Sequence, residues 1–167
     1  MEYVYWDSNC FIGYLQNEQN ADVLEAIIER AEDEKLVIVT SALTLAEVLK
    51  FKGSDGVLHN PISPEEELHL EDCFSPDNGV QIVNLDRVVA SNARRVVWDR
   101  GIDPKDAIHV ATAMQFKRNG LMKRNDTLVF HTFDKKVLKH GDGIDGIPFV
   151  IPKLEDYPQQ SQLSLVE

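Results

Sequence analysis

The chain is 167 residues long, 43% hydrophobic and 27% charged, with a formal net charge of −11. That length suits one domain with a real core, and no apolar run approaches the roughly 20 residues that span a bilayer. An acidic N-terminus without a basic leader is not a secretory signal, and two cysteines without metal-ligand or disulfide-framework spacing (Cys10 and Cys73) point to a reducing cytoplasm.

Residues 2–6, Glu-Tyr-Val-Tyr-Trp, are aromatic and β-branched and predict a strand. Asp7-Ser8-Asn9 then supplies capping chemistry for a short helix through Phe11, Ile12 and Leu15. Over about residues 21–34, Val23, Leu24, Ile27, Ile28 and Ala31 form the apolar stripe of a second helix. Leu36-Val37-Ile38-Val39 is the continuous apolar run of a central parallel strand. Ser41 is placed to cap a third helix that runs to about Lys52. Gly53, Gly56 and Pro61 mark residues 53–63 as a loop, and Ser63-Pro64-Glu65-Glu66 reads as a capping box opening a fourth helix.

Val80–Val83 predicts a third strand, Asp86 opens a helix to about Arg100, and Asp103-Pro104 opens another to about Lys117. Residues 128–132 predict a fourth strand, Asp134 starts a short helix, and residues 148–151 give a weak fifth strand. The polar end of the chain, with Gln159, Gln160, Gln162 and Ser164, reads as a loose tail. Strands alternating with helices predict an α/β fold, a mostly parallel sheet of about five strands with helices on both faces. It occupies residues 1–152 as one domain, followed by a tail at 153–167.

Four acids stand out. Asp7 and Asp134 lie just past strand ends, where open parallel sheets place their sites. Asp106 opens a helix, and Glu47 sits among Leu43, Leu45, Ala46, Val48 and Leu49. Each has an ordinary explanation: Asp7 and Asp134 as N-caps, Asp106 as the acidic partner of a capping box with Asp103, and Glu47 in a surface pair with Lys50. His109, three residues after Asp106, reads most simply as a packed polar residue. Should the four acids converge, their mutual repulsion and desolvation call for a divalent cation. Charge is also uneven. Residues 105–139 hold eight Lys and Arg against three Asp and Glu, although the whole chain is acidic. A basic surface there, including Lys117, Arg118, Lys123 and Arg124, can steer phosphates over short range.

Together these segments resemble the PIN-domain nuclease family. The resemblance rests on Asp7-Ser8-Asn9 after the first strand, Ser41 through Glu47, Asp106-Ala-Ile-His-Val-Ala-Thr-Ala113 in a later helix, and Thr132-Phe133-Asp134 after the fourth strand. It implies a three-layer α/β/α sandwich and an acidic quartet, Asp7, Glu47, Asp106 and Asp134, that binds Mg²⁺ or Mn²⁺ and cleaves RNA. It implies supporting roles for Ser8, Asn9 and Thr132. It also implies an antitoxin partner and a homodimer, as in the VapC-like toxins, with no membrane association. The loop at 53–64, the glycine-rich turn at 140–147 and the tail depart from that group.

On this reading Asp7 and Asp106 are direct ligands, Glu47 binds the metal or orients the attacking water, and Asp134 holds a second metal or acts through water. Lys117, Arg118, Lys123 and Arg124 position backbone phosphates without reading bases. The competing readings are a non-catalytic module that binds nucleic acid or protein, and a phosphoacceptor signalling domain. The latter lacks an early acidic pair and a mid-chain acceptor aspartate.

Overall fold

The computed structural model describes residues 1–52, 56–61 and 63–158. Its elements in chain order are β1 (Glu2–Trp6), α1 (Ser8–Leu15), α2 (Ala21–Glu32), β2 (Leu36–Ser41), α3 (Ala42–Glu47), β3 (Phe51–Lys52), β4 (Leu58–His59), α4 (Pro64–Asp72), β5 (Val80–Val83), α5 (Arg87–Arg100), α6 (Pro104–Arg118), β6 (Thr127–His131), α7 (Lys135–Leu138) and β7 (Phe149–Val150). The expected Gly53 turn and the polar tail beyond residue 158 lie outside the described residues.

Five strands form one sheet in the order β5-β2-β1-β6-β7, and every pairing in it is parallel. β1 occupies the centre because it can be buried on both faces. Val4, Tyr5 and Trp6 are all fully buried, and the period-two alternation sends them to opposite cores. Val4 and Trp6 pack with Phe11, Leu24, Ile27 and Phe74 under α1, α2 and α4. Tyr5 packs with Val89, Val110, Phe116 and Phe130 under α5 and α6. The result is the expected three-layer α/β/α sandwich.

Local chemistry sets most boundaries. Asp7, Ser41, Ser63, Asp86 and Asp134 each cap the following helix through a side-chain oxygen. Pro64 and Pro104 stand in first turns, where a missing N–H costs nothing. Gly79 takes a left-handed backbone (φ +70°) where a Cβ would fall 2.6 Å from the Ala31 carbonyl oxygen, so only glycine closes the turn into β5.

The third helix is shorter than the sequence predicts. It ends at Glu47; Val48 is extended, and β3, inside the segment predicted as helix, pairs antiparallel with β4, inside the segment read as loop. The Val48 side chain is buried in the α1–α2 core, and Glu47 is drawn to α6, so tertiary contacts override local helix preference.

His131, at the end of β6, is buried between two aromatic partners. The Trp6 indole N–H donates to its Nδ1 at 3.2 Å, so the ring proton sits on Nε2, 3.0 Å from the Tyr157 hydroxyl. Burial lowers its pKa from 6.5 to about 4. The folded state therefore holds this ring neutral while the unfolded chain protonates it. The stability it contributes is complete above pH 6.5 and drains away as pH falls to about 4. The loss amounts to roughly 3 kcal/mol at the lower limit. Replacing His131 with Gln, which can still accept and donate, is expected to flatten this window in urea titrations at stepped pH. An unchanged slope would contradict the assignment.

Candidate active site

The register of the sheet builds one rim. Trp6 pairs with His131, so Asp7 follows at the level of Thr132. Tyr5 pairs with Val39, so the same level on β2 is Ser41. All three residues are buried. Asp7 caps α1 by accepting from the Cys10 N–H at 3.2 Å. Burial pushes its carboxyl above the usual range, and the Thr132 hydroxyl opposes that shift most strongly. The same hydroxyl oxygen accepts the Asp134 backbone N–H at 3.0 Å. Thr132 thus couples the residue after β1 to the residue that caps α7.

Asp106 lies in the first turn of α6. The expected capping box with Asp103 does not form: Asp103 makes no side-chain cap bond and pairs with Lys136 at 2.6 Å. The Asp106 carboxyl is raised first by desolvation, then by the negative charges of Asp134 and Asp7. Among the described residues none of these three aspartates has a cationic partner within ion-pair distance. Three carboxylates from distant stretches therefore share one electrostatic environment.

Glu47 is held differently. It is the last residue of α3, where the helix dipole disfavours an anion. Its Oε2 accepts from His109 Nε2 at 2.9 Å, and its Oε1 lies 3.1 Å from Lys105 Nζ. The His109 hydrogen bond is the main cause of a carboxyl pKa lowered to about 2, with Lys105 and the Ser8 hydroxyl adding to it. Lys50, the partner expected from the sequence, is not the one used. His109 is buried, and its Nδ1 meets the Tyr5 hydroxyl at 3.0 Å. Burial holds Tyr5 well above its ordinary pKa, so it stays protonated, and the Thr112 and Ser41 hydroxyls oppose that shift. A polar chain therefore runs from Glu47 through His109 and Tyr5 into the sheet. Tyr5 and Lys105 were not singled out in the sequence. No local signal marks Tyr5, because it and its imidazole partner stand 104 residues apart in the chain and only folding brings them together.

Asn9 is exposed on α1, while Ser8 and Thr132 stand against the acids. The basic residues fall elsewhere. Lys117 donates to the carbonyls of Asp145 and Gly146, and Arg118 pairs with the Asp145 carboxylate at 2.9 Å. They end α6, roughly 16 Å along its axis from Asp106. Lys123 and Arg124 precede β6, near Asp126, which binds the N-terminal amine at 2.7 Å. This is the opposite end of the sheet from the acids.

Among the described residues no three acidic, histidine or cysteine side chains stand close enough, in their present rotamers, to hold a metal ion. The chemistry of the donor set nevertheless fits a hard divalent cation: carboxylate oxygens on Asp7, Asp106 and Asp134, mutually repelling and, among the described residues, in no ion pair.

The PIN domain family profile matches residues 4–143. The chain belongs to the PIN domain family. PIN domains are nucleases, and the matched span runs from β1 past α7, so it includes all four acids. No curated protein matches the chain. Solved structures share the fold. VapBC2 from Rickettsia felis, bound to a DNA fragment from its promoter, is 17% identical with a TM-score of 0.57, covering 92% of this chain and 100% of that one. A toxin–antitoxin complex from Klebsiella pneumoniae is 16% identical with a TM-score of 0.54, covering 90% and 98%. DNA-bound VapBC from Salmonella typhimurium is 16% identical with a TM-score of 0.52, with the same coverage. At these identities the likeness is one of fold. No helix among the described residues is long and apolar enough to cross a membrane.

Substituting Glu47 by Leu leaves the buried His109 without its acceptor and is expected to cost about 1–3 kcal/mol of unfolding free energy, while Glu47→Gln, which can still accept, costs less. Urea denaturation at neutral pH measures both. Equal losses would show that His109 does not depend on an acceptor at this position.

Proposed function

We propose that this PIN domain is a metal-dependent endoribonuclease that hydrolyses RNA phosphodiester bonds at the rim where Asp7, Glu47, Asp106 and Asp134 gather. The observation that carries the reading is the Asp106 carboxyl, raised by desolvation and then by the charges of Asp134 and Asp7, with no cation in ion-pair contact with any of the three among the described residues. Such an arrangement is stabilised by a divalent cation. Asp7, Asp106 and Asp134 would hold Mg²⁺ or Mn²⁺. When bound, the ion supplies Lewis acidity, polarising the scissile phosphate and lowering the pKa of water.

The chain's own residues do the positioning. Thr132 holds Asp7 and Asp134 in mutual register. Glu47, already satisfied by His109 and Lys105, remains anionic at any working pH and is suited to orient the attacking water or to support the ion from its edge. Lys105, largely exposed beside Glu47, offers a positive charge to the RNA backbone at the rim. The far basic residues, Lys117, Arg118, Lys123 and Arg124, would act only on RNA long enough to reach round the molecule. An antitoxin protein as regulator is part of the same proposal, supported by the VapBC complexes that share the fold; a homodimer as the working form rests on the family resemblance.

Asp7→Asn and Asp106→Asn are expected to reduce Mn²⁺-dependent cleavage of a labelled RNA below detection while circular dichroism stays unchanged. Cleavage by either variant at the wild-type rate would refute the assignment. Calorimetry with Mn²⁺ gives an independent readout: saturable heat in the wild type should vanish in Asp106→Asn. A wild type without that heat would favour the non-catalytic binding module.

A further inference from the structure

We infer that the outer face of α5 is a platform for unpaired RNA, on which Trp98 stacks a base and the neighbouring arginines hold phosphates; this rests on the ribonuclease reading above. The inner face of α5, with Val89, Ala93 and Val96, is buried in the core shared with α6. The outer face carries Arg87, Ser91, Arg94, Arg95 and Trp98, whose spacings of three and four residues bring them into one stripe. All five are exposed.

Trp98 is 70% exposed, an unusual place for the largest apolar side chain. The Arg94 guanidinium lies over the ring, 5.0 Å from its centroid, while most of the indole stays open to solvent. Among the described residues Arg87, Arg94, Arg95 and Arg100 form no ion pair, although the chain contains 28 Asp and Glu and carries a net charge of −11. Asp99 neighbours them on the same helix without closing on any of them.

Position supplies the link to the site. α5 and α6 are joined by only Gly101, Ile102 and Asp103, so the Trp98 end of α5 lies beside the end of α6 that carries Asp106. The Asp103–Lys136 bond ties this corner to α7, which Asp134 caps. An RNA strand satisfies the whole surface: guanidinium groups match phosphate oxygens in bidentate geometry, and a base offers the flat face an open indole needs. An acidic protein segment would meet the arginines but leave the tryptophan unanswered. The strand must be single, because duplex bases are stacked inside and present no free face.

The test is fluorescence anisotropy with a labelled, unstructured RNA of about 20 nucleotides in EDTA, where no cutting occurs. Trp98→Ala is expected to weaken binding about tenfold, with Trp98→Phe recovering most of it. Arg94→Gln with Arg95→Gln should reduce the slope of log affinity against log salt by about 1.4, close to 0.7 per phosphate contact on a single strand. Quenching of tryptophan emission by RNA should disappear in Trp98→Phe, because the other tryptophan, Trp6, is fully buried. The platform is refuted if these variants bind like the wild type, or if the wild type binds no RNA. It is equally refuted if RNA affinity is unchanged while sedimentation shows Trp98→Ala converting a dimer to monomers, which would make the face an interface between copies. The two proposals fail separately. Asp7→Asn and Asp106→Asn cutting like the wild type would end the nuclease reading and leave the binding result standing, whereas wild-type RNA affinity in the Trp98 and arginine variants would end the platform and leave the nuclease reading standing.

Discussion

The parallel pairing of β1 between β2 and β6 governs everything at the rim. With Trp6 opposite His131 and Tyr5 opposite Val39, the three chain segments leave the sheet at one level, and the residues that follow must meet. A slip of one residue would turn Val4 and Trp6 into the α5–α6 core and Tyr5 into the α1–α2 core. It would also carry Asp7 away from Thr132. The apolar register that buries β1 on both faces is thus what forces anionic groups together, and hydrophobic burial supplies the free energy that like-charge repulsion opposes.

The protein answers that repulsion in two ways. Glu47 is neutralised internally: His109 and Lys105 lower its carboxyl to about 2, and the imidazole is in turn fixed by Tyr5 in the sheet. The aspartates are not neutralised. Thr132 and the backbone N–H groups of Cys10 and Lys136 satisfy individual oxygens of Asp7 and Asp134, but among the described residues no side-chain cation forms an ion pair with them. Helix capping and site building therefore use the same atoms at these two positions, and the ordinary explanation of each residue is correct without displacing the functional one. Asp106 differs, because its supposed cap partner is engaged with Lys136 and its charge is left facing the others.

Basic residues divide along a similar line. Those at residues 117–124 stand out in the sequence because they cluster, yet Lys117 and Arg118 are occupied by the turn at Asp145 and Gly146. The arginines of α5 fall inside a longer window, residues 53–104, whose ten Asp and Glu outweigh its four Arg, so a coarse charge count hides them. Helical periodicity places Arg87, Arg94, Arg95 and Trp98 on one outer face, with the Arg94 guanidinium over the Trp98 ring, and only then does the arginines' lack of ion pairs among the described residues become visible.

The sequence by itself determined the order and kind of nearly every element, since periodicity, capping residues and prolines act within a few residues of one another: Asp86 before α5, Ser63-Pro64 before α4 and the apolar run of β2 all sit where local chemistry puts them. It also held the four acids in a recognisable order. What tertiary structure alone decided was where α3 stops, which partner Glu47 takes, and which basic residues remain free. Those outcomes depend on groups tens of residues apart in the chain, such as Glu47 with His109 and Tyr5 with the same ring, whose meeting is settled by how helices pack on the sheet and leaves no mark in local spacing.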